Sequence, residues 1–313
     1  MATSTLRDAA WTTVFNRPAF HALNLRPGAE SLVAAHTHES RVVGALAGVL
    51  ADGVFTSGDR APFGGPDFAR PRETPANVAA TLDAALAEIT ASGARTVRIR
   101  CRPAAYSDTE ALVAFELLQR GFSVEIAELA HVVDLSGFAA AADYMAALKS
   151  PARRALGHLE ELGTAFDEVP GSEAAWRDAY DVLAQNRAAK GRVLSLDADY
   201  LLRARDALPG VLRMFALTMQ GAPIATAVVY VVAPGYWYVY AWGDARHALA
   251  RSPMNLLALR LVERALREDV RLIDLGTSTA PGGAGGGRIA DPGMSQFKTS
   301  LLARPHVRLV LTR

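Results

Sequence analysis

"VRLIDLGTSTAPGGAGGGRIADPGMSQFKTSLLARPHVRLVLT", residues 270–312, reads as an apolar strand (VRLIDLG), a glycine-rich connection, a short helix around MSQFKTSLL and a last strand, VRLVLT. Working outward, the helical pattern SPMNLLALRLVERALRED precedes it, and before that come three strands, VLRMFALTMQ, PIATAVVYVVA and YWYVYAWGD. The order from residue 211 is therefore three strands, helix, strand, helix, strand. One residue in the stretch is conspicuous. Lys298 is one of three lysines, with Lys149 and Lys190, against thirty arginines, so this site calls for an ammonium where arginine serves elsewhere.

The first half repeats the order. Strands SLVAAHTHE, RVVGALAGVLAD and GVFTSG are followed by a Pro/Gly-rich loop, the helix ANVAATLDAALAEITASG ending at Gly93, the strand TVRIRCR, the helix DTEALVAFELLQRG and the strand SVEIAELAHVVDL. Gly58-Asp59 and Gly243-Asp244 each follow a third strand, TVRIR parallels VRLID, and Phe115 parallels Phe297. These echoes predict an α/β protein of two tandem copies of one module, each a mixed central sheet flanked by helices. The boundary falls near residue 138, giving a degenerate module over 1–138 and a catalytic module over 139–313 that opens with a basic helix.

Composition bounds the rest. The chain of 313 residues is half hydrophobic, enough for two cores, and its net charge of +1 argues against a general polyanion binder. Cys101 is the only cysteine, so no internal disulfide and no cysteine-based metal site is expected. No apolar leader and no run of about 18 apolar residues occurs, which predicts a cytoplasmic chain without a membrane span. His36 and His38 share a strand face, but no further ligands lie at metal spacing, so no metal is expected. The glycine run does not match a dinucleotide fingerprint, because Gly283 and Gly285 would need a glycine where Arg288 stands. It reads instead as a mobile loop over a site. GTSTA falls one residue short of a nucleophile elbow at Ser278, and Pro281 follows where a helix should begin.

The segments APFGG (61–65), LKSPARRALGHLEELG (148–163), LIDLGTS (272–278) and GMSQFKTSL (293–301), in this order, resemble the tandem GNAT-fold acyl and aminoacyl transferases of the Fem type, the group of FemA, FemB and FemX. The resemblance spans nearly the whole chain. It implies transfer of an acyl or aminoacyl group to an amine, with no bound cofactor and with aminoacyl-tRNA as donor. The alternative donor is an acyl-CoA, which ordinary GNAT enzymes hold through backbone amides of a glycine-rich loop at a helix N-terminus. Here GDARHALARSPMNLL has no glycine after Gly243, which disfavours that donor. A third reading is a non-catalytic binding protein on the same fold.

In acyl transfer a developing oxyanion is met by a fixed charge. A compact ammonium fills that role differently from a guanidinium, which points to Lys298 as catalytic or, alternatively, as a helix-end solvated lysine. Asp274, at the end of LIDLG, could orient the amine or take its proton. Phe297 and Ser278 flank this centre as substrate contacts. Tyr236, Tyr238, Tyr240 and Trp242 alternate along one strand and would share a face, either as core or as a wall for the substrate. Lys149, Arg153 and Arg154 fall on one helical face and, with Arg187, Lys190 and Arg192, would meet tRNA phosphates. Arg98, Arg100 and Arg102 read as a solvated edge strand. Glu116 stands after Phe115 where Lys298 stands after Phe297, so chemistry is expected in the second copy only.

Overall fold

The structure is a computed structural model and describes residues 12–70, 72–149, 163–192, 194–245, 253–282 and 288–313. A short helix α1 (Pro18–Asn24) leads to β1 (Glu30–His38), β2 (Arg41–Ala51), β3 (Val54–Ser57) and β4 (Pro66–Phe68), then α2 (Pro75–Ala91), β5 (Thr96–Arg100), α3 (Thr109–Gln119) and β6 (Ser123–Asp134). There follow α4 (Ala141–Ala147), β7 (Thr164–Glu168), α5 (Glu173–Ala189), α6 (Ala198–Ala207), β8 (Leu212–Met219), β9 (Ala222–Ala233), β10 (Tyr236–Asp244) and α7 (Pro253–Arg267). The chain closes with β11 (Leu272–Thr277), the hairpin β12 (Thr279–Pro281) and β13 (Arg288–Ala290), α8 (Pro292–Ser300) and β14 (Arg304–Thr312). Within the described residues the strands and helices read from the sequence are present; α1, β4, β7, α6 and the β12–β13 hairpin are additions. Most of the expected basic helix, 150–162, lies outside the described residues.

The chain divides into two compact units at Ala130/His131, with Thr277–Pro292 and Pro305–Arg313 belonging to the first and Gly293–Arg304 to the second. The sequence places the division near residue 138 and assigns everything after it to one module; these two returning segments follow a different assignment.

In the first unit the strands run β1-β2-β3-β5-β14 and then the first half of β6. β1 to β3 are antiparallel neighbours, β3 and β5 are parallel, and β14 lies antiparallel to β5 with Val310 opposite Arg100. Helix α2 begins where Thr74 accepts the Asn77 N–H at 3.3 Å and Pro75 occupies the first helical turn. Its buried Val78, Leu82, Ala85, Leu86 and Ile89 recur at helical spacing and pack with Val97, Ile99 and Cys101 of the β5 segment. The opposite face of that strand corrects the expectation of a solvated edge. β5 has neighbours on both sides, Arg98 is held bidentately by Glu125 (2.7 and 2.6 Å), and Arg102, just past the strand, is only 8% exposed. Burial pushes the Cys101 thiol up to about 12, with Glu110 adding to the shift. Cys101 is therefore expected to resist thiol reagents at pH 8 in the native protein and to react on unfolding; rapid native labelling would show that the β5 core opens readily.

In the second unit the strands run from the second half of β6 through β11, β10, β9 and β8 to β7. β7 to β10 are antiparallel neighbours, and β10 and β11 are parallel. α7 buries Leu256, Leu257, Leu261, Val262 and Ala265 against Phe215, Val229, Trp237 and Ile273. Arg213 of β8 bonds Glu168 and Glu268, and its hydrogen bond, helped by one from Arg264, holds Glu268 down at about 2 against a usual 4.5. A carboxylate depressed in the folded state stabilises fully above the unfolded value and ceases to as pH falls through the folded one. Stability is expected to decline between about pH 4.5 and about pH 2, with Glu268→Gln flattening that decline. Equal acid profiles for both proteins in chemical denaturation would remove Glu268 from the account.

The two units repeat the read order, but each takes its last strand from elsewhere in the chain: β14, from the C-terminus, pairs with β5, and the second half of β6 runs beside β11.

Candidate active site

In the second unit β10 and β11 pair only at Tyr236–Leu272, Trp237–Ile273 and Tyr238–Asp274. Beyond that last pair β10 continues to Asp244 and β11 to Thr277 with no further pairs in their ladder. A bulge in β10 lies just past that end: Val239 faces Val229 and Ala241 faces Val228, leaving Tyr240 as the extra residue. A bulge leaves main-chain groups off the ladder and re-aims the side chains that follow it.

This bulge overturns the expected row of four aromatics on one face. Trp237, Val239 and Trp242 belong to the core under α7, and Trp242 meets Phe297 edge to face at 5.5 Å. Tyr240 instead meets Tyr230 at 5.9 Å and shares a 2.7 Å hydrogen bond with Ser195. The extra residue has shifted the alternation by one.

At the end of the β10–β11 ladder three functional candidates meet around Gly276. Asp274, 0% exposed, accepts the Gly276 N–H at 2.7 Å, and Lys298 of α8, 1% exposed, donates to the Gly276 carbonyl at 2.9 Å. Gly276 sits at φ +72°, and a Cβ there would lie 3.3 Å from the Tyr238 hydroxyl. Glycine is required both by the left-handed backbone and by that close approach. Asp274, Lys298 and Tyr238 are thus gathered through one residue. Phe297, next to Lys298 on α8, packs into the Trp242 core. Ser278 belongs to the first unit; it is buried, its N–H donates to the Leu129 carbonyl at 2.7 Å, and its carbonyl accepts the Asp291 N–H at 2.8 Å. Lys149 is exposed beyond the end of α4, while Arg153 and Arg154 lie outside the described residues. So do 246–252, which hold most of the loop before α7, and 283–287; the glycine-rich connection expected as a mobile loop is, in its described part, the β12–β13 hairpin.

The first unit treats the same place differently. β3 stops at Ser57, β2 pairs next with β4, and the excursion 58–65 between them carries APFGG back against β5, where the Gly64 N–H donates to the Arg100 carbonyl at 2.8 Å. Gly65 donates to the Ser57 hydroxyl at 2.9 Å. A Cβ on Gly64 would stand 2.4 Å from the Gly58 nitrogen, and one on Gly58 2.7 Å from the Gly64 nitrogen, so only glycine lets these backbones touch. Where the second unit has a one-residue bulge and a ladder that ends early, the first has its own polypeptide wedged in.

A further parallel was missed in the sequence. Asn16 donates to Asp67 of β4 at 2.8 Å, and Asn186 of α5 donates to Asp244 of β10 at 2.7 Å. Asp67 lies opposite Ala45 of β2 and Asp244 opposite Ala225 of β9. The repeat therefore equates Asp244 with Asp67 rather than with Asp59, and the spacing hid this because the excursion inserts between them. At Asp244 burial raises the carboxyl, opposed by Lys190.

Among the described residues no cluster of His, Cys, Asp or Glu is placed to hold a metal, and no helix is long and apolar enough to cross a membrane. The second unit thus combines a parallel β10–β11 ladder that ends early, a bulge in β10 just past that end and a buried lysine bonded to Gly276. A family model described as an acetyltransferase (GNAT) domain matches residues 147–304, just over half of the chain, and the chain belongs to that family. It is an acyltransferase. Among solved structures, FemX matches with a TM-score of 0.72 at 11% identity, over 95% of this chain and 91% of that one. L-PGS from Bacillus licheniformis matches at 0.57 and 12% identity, over 94% and 86% of the two chains. A conserved protein of unknown function from Bacteroides thetaiotaomicron matches at 0.56 and 12% identity, over 100% and 97%. At these identities the likeness is one of fold. No curated protein matches the chain.

Proposed function

We propose that the protein is an N-acyltransferase whose second unit takes an acyl thioester of the CoA type between β10 and β11 and delivers the acyl group to an amine. The observation that carries this reading is the early end of the β10–β11 ladder beside the Tyr240 bulge. Strand edges beyond the end of a ladder offer main-chain donors and acceptors to an extended, amide-bearing arm, as a sheet edge receives an added strand. The family match supports the same donor. The absence of glycine after Gly243, which counts against CoA in the sequence, concerns a segment that lies mostly outside the described residues.

The neutral amine attacks the thioester carbonyl carbon; a C–N bond forms, the C–S bond breaks, and the thiolate leaves and takes up a proton. The nitrogen gives up one proton, which in this reading Asp274, the buried carboxylate bonded to the Gly276 N–H, accepts. Lys298 holds its ammonium against the Gly276 carbonyl, fixing the end of β11 and setting a positive field where the oxyanion develops; in low dielectric such a field counts for more than in water. In this reading the Tyr238 hydroxyl, close to Gly276, donates to the departing sulfur. Phe297 anchors α8 through its edge-to-face contact with Trp242. The wedged excursion 58–65 supports one donor site per chain, in the second unit.

The fold likeness to FemX and the glycine-free loop favour a second reading, in which the donor is an aminoacyl ester on tRNA and Lys149, Arg153 and Arg154 meet its phosphates. Thiol release from acetyl-CoA, tested with a panel of primary amines on RNase-treated protein, separates the two. Amine-dependent release supports the first reading. Transfer only from charged tRNA, abolished by RNase, replaces it with the second.

A further inference from the structure

We propose that Arg187, Lys190 and Arg192, beside Tyr240 and Ser195 in the second unit, form the subsite for an anionic group, carboxylate or phosphate, carried by the amine acceptor. The inference rests on the acyltransferase reading and names the substrate class of that same site.

The cluster is built by the end of α5. Ser172 caps this helix by accepting the Ala175 N–H at 3.3 Å, and Trp176, Ala179, Val182 and Leu183 bury one face against the sheet. That anchoring brings Asn186 to Asp244, and a Cβ on Gly243 would lie only 2.8 Å from the Asn186 side chain, so the helix end is pressed onto β10. Arg187 follows directly, Lys190 lies one turn on and donates to Asn186 at 3.0 Å, and Arg192 comes just past the Gly191 turn at φ +62°. Three cations are thereby gathered at one end of a helix, where the helix dipole itself favours positive charge.

Lys190 faces the Asp244 carboxylate, and Arg192 is engaged within the protein. The Asp244 carboxylate is engaged by Asn186, and the Asp197 carboxylate caps α6 through the Tyr200 N–H at 2.6 Å. The half-buried Arg187 guanidinium makes no hydrogen bond or ion pair among the described residues. Burial lowers Arg187, and Arg192 lowers it further; burial lowers Lys190 too, with Asp244 opposing and Arg187 and Arg192 adding to the shift. Like charges held this close are relieved by an incoming anion, and a guanidinium offers the planar fork that carboxylate and phosphate accept bidentately. Tyr240 and Ser195, hydrogen-bonded at 2.7 Å, complete the rim. Tyr240 is also the bulge residue of β10, the strand that borders the donor gap. An acceptor anchored here by its anion lies beside the strand along which its amine must meet the thioester.

The occupant is a small anion rather than a nucleic acid. Along the same helix α5 Glu173 is paired with Arg177, while Asp178 and Asp181 are exposed before the cationic end, where they oppose a long polyanion and leave a compact one unaffected.

The test pairs charged and neutral amines: phosphoethanolamine with ethanolamine, and glycine with glycinamide. Binding of each is measured by calorimetry on RNase-treated full-length protein, and acyl transfer is measured in parallel. The anionic member of at least one pair is expected to bind about 10-fold or more tighter, and Arg187→Ala is expected to weaken that member about 10- to 100-fold while leaving its neutral partner unchanged. Arg187→Lys is expected to fall between, which guards against misfolding, and Arg267→Ala, an exposed charge on α7, should match the wild type. Equal binding within both pairs, or anion binding untouched by Arg187→Ala, overturns the proposal. So does tight, salt-sensitive binding of RNA through Arg187. Selective anion binding without any acyl transfer would sustain the subsite and refute the proposed function alone.

Discussion

Lys298→Met is expected to lower turnover about 10²-fold or more, the scale set by losing one fixed stabiliser of an oxyanion. The side chain is among the largest fully buried ones in the protein, and its ammonium is bonded to the Gly276 carbonyl at 2.9 Å. Methionine keeps the length and apolar stem but leaves that carbonyl without its donor, which costs about 1–3 kcal/mol of stability. Lys298→Arg should not rescue activity, because a planar fork does not fit where a single ammonium is enclosed. Glu116→Gln is the matched control: Glu116 on α3 pairs with Arg120 just past the helix end, and its neighbour Phe115 is 54% exposed, so nothing like the Lys298 environment exists there. Rates of the folded variants are compared with circular dichroism as a check on folding. A folded Lys298→Met enzyme within a few-fold of wild type, or equal losses in both variants, would contradict the assignment.

Arg102→Met is expected to be the most damaging change to stability, about 3–5 kcal/mol, because it leaves two carboxylates buried without their cation. Arg102 donates to Glu110 at 2.6 Å and pairs with Asp67, which Thr13 and Asn16 also engage. Burial alone would lower the guanidinium, but Glu110 and Asp67 outweigh it and raise it; burial raises Glu110 in turn. The variant should regain part of its loss as pH falls and Glu110, already raised by burial, takes up its proton. Urea denaturation at several pH values measures this. A shift under about 1 kcal/mol would mean the cluster relaxes or admits water easily.

These two residues show what the sequence makes legible. Lys298 stands out by scarcity, and the β-β-β-α-β-α-β order follows from hydrophobic periodicity, so the mixed α/β fold was within reach, and so was the buried lysine on which the candidate site is built. Arg102 was not. Its alternation with Val97, Ile99 and Cys101 gives a strand with one apolar face, but periodicity says nothing of whether the polar face is wet or closed by Asp67 and Glu110. The Tyr236-to-Trp242 row misleads for a related reason: period two holds only until a bulge, and one extra residue moves Trp242 to the core. The partners of the last strands were equally hidden, since β14 and β6 are decided by pairing over long sequence separations. The sequence also marked APFGG without disclosing its physical role, which is to bring glycine backbones into contact beside β5.

The central claim, one acyl-thioester site per chain lying between β10 and β11, is tested most directly by calorimetric titration of CoA into RNase-treated protein, alongside Gly276→Val. A valine at φ +72°, beside the Tyr238 hydroxyl, would distort the root of the gap while leaving the first unit intact. One CoA per chain is expected to bind the wild type, and a folded variant is expected to bind it at least tenfold more weakly. No binding, two sites per chain, or one site indifferent to Gly276→Val would contradict the claim.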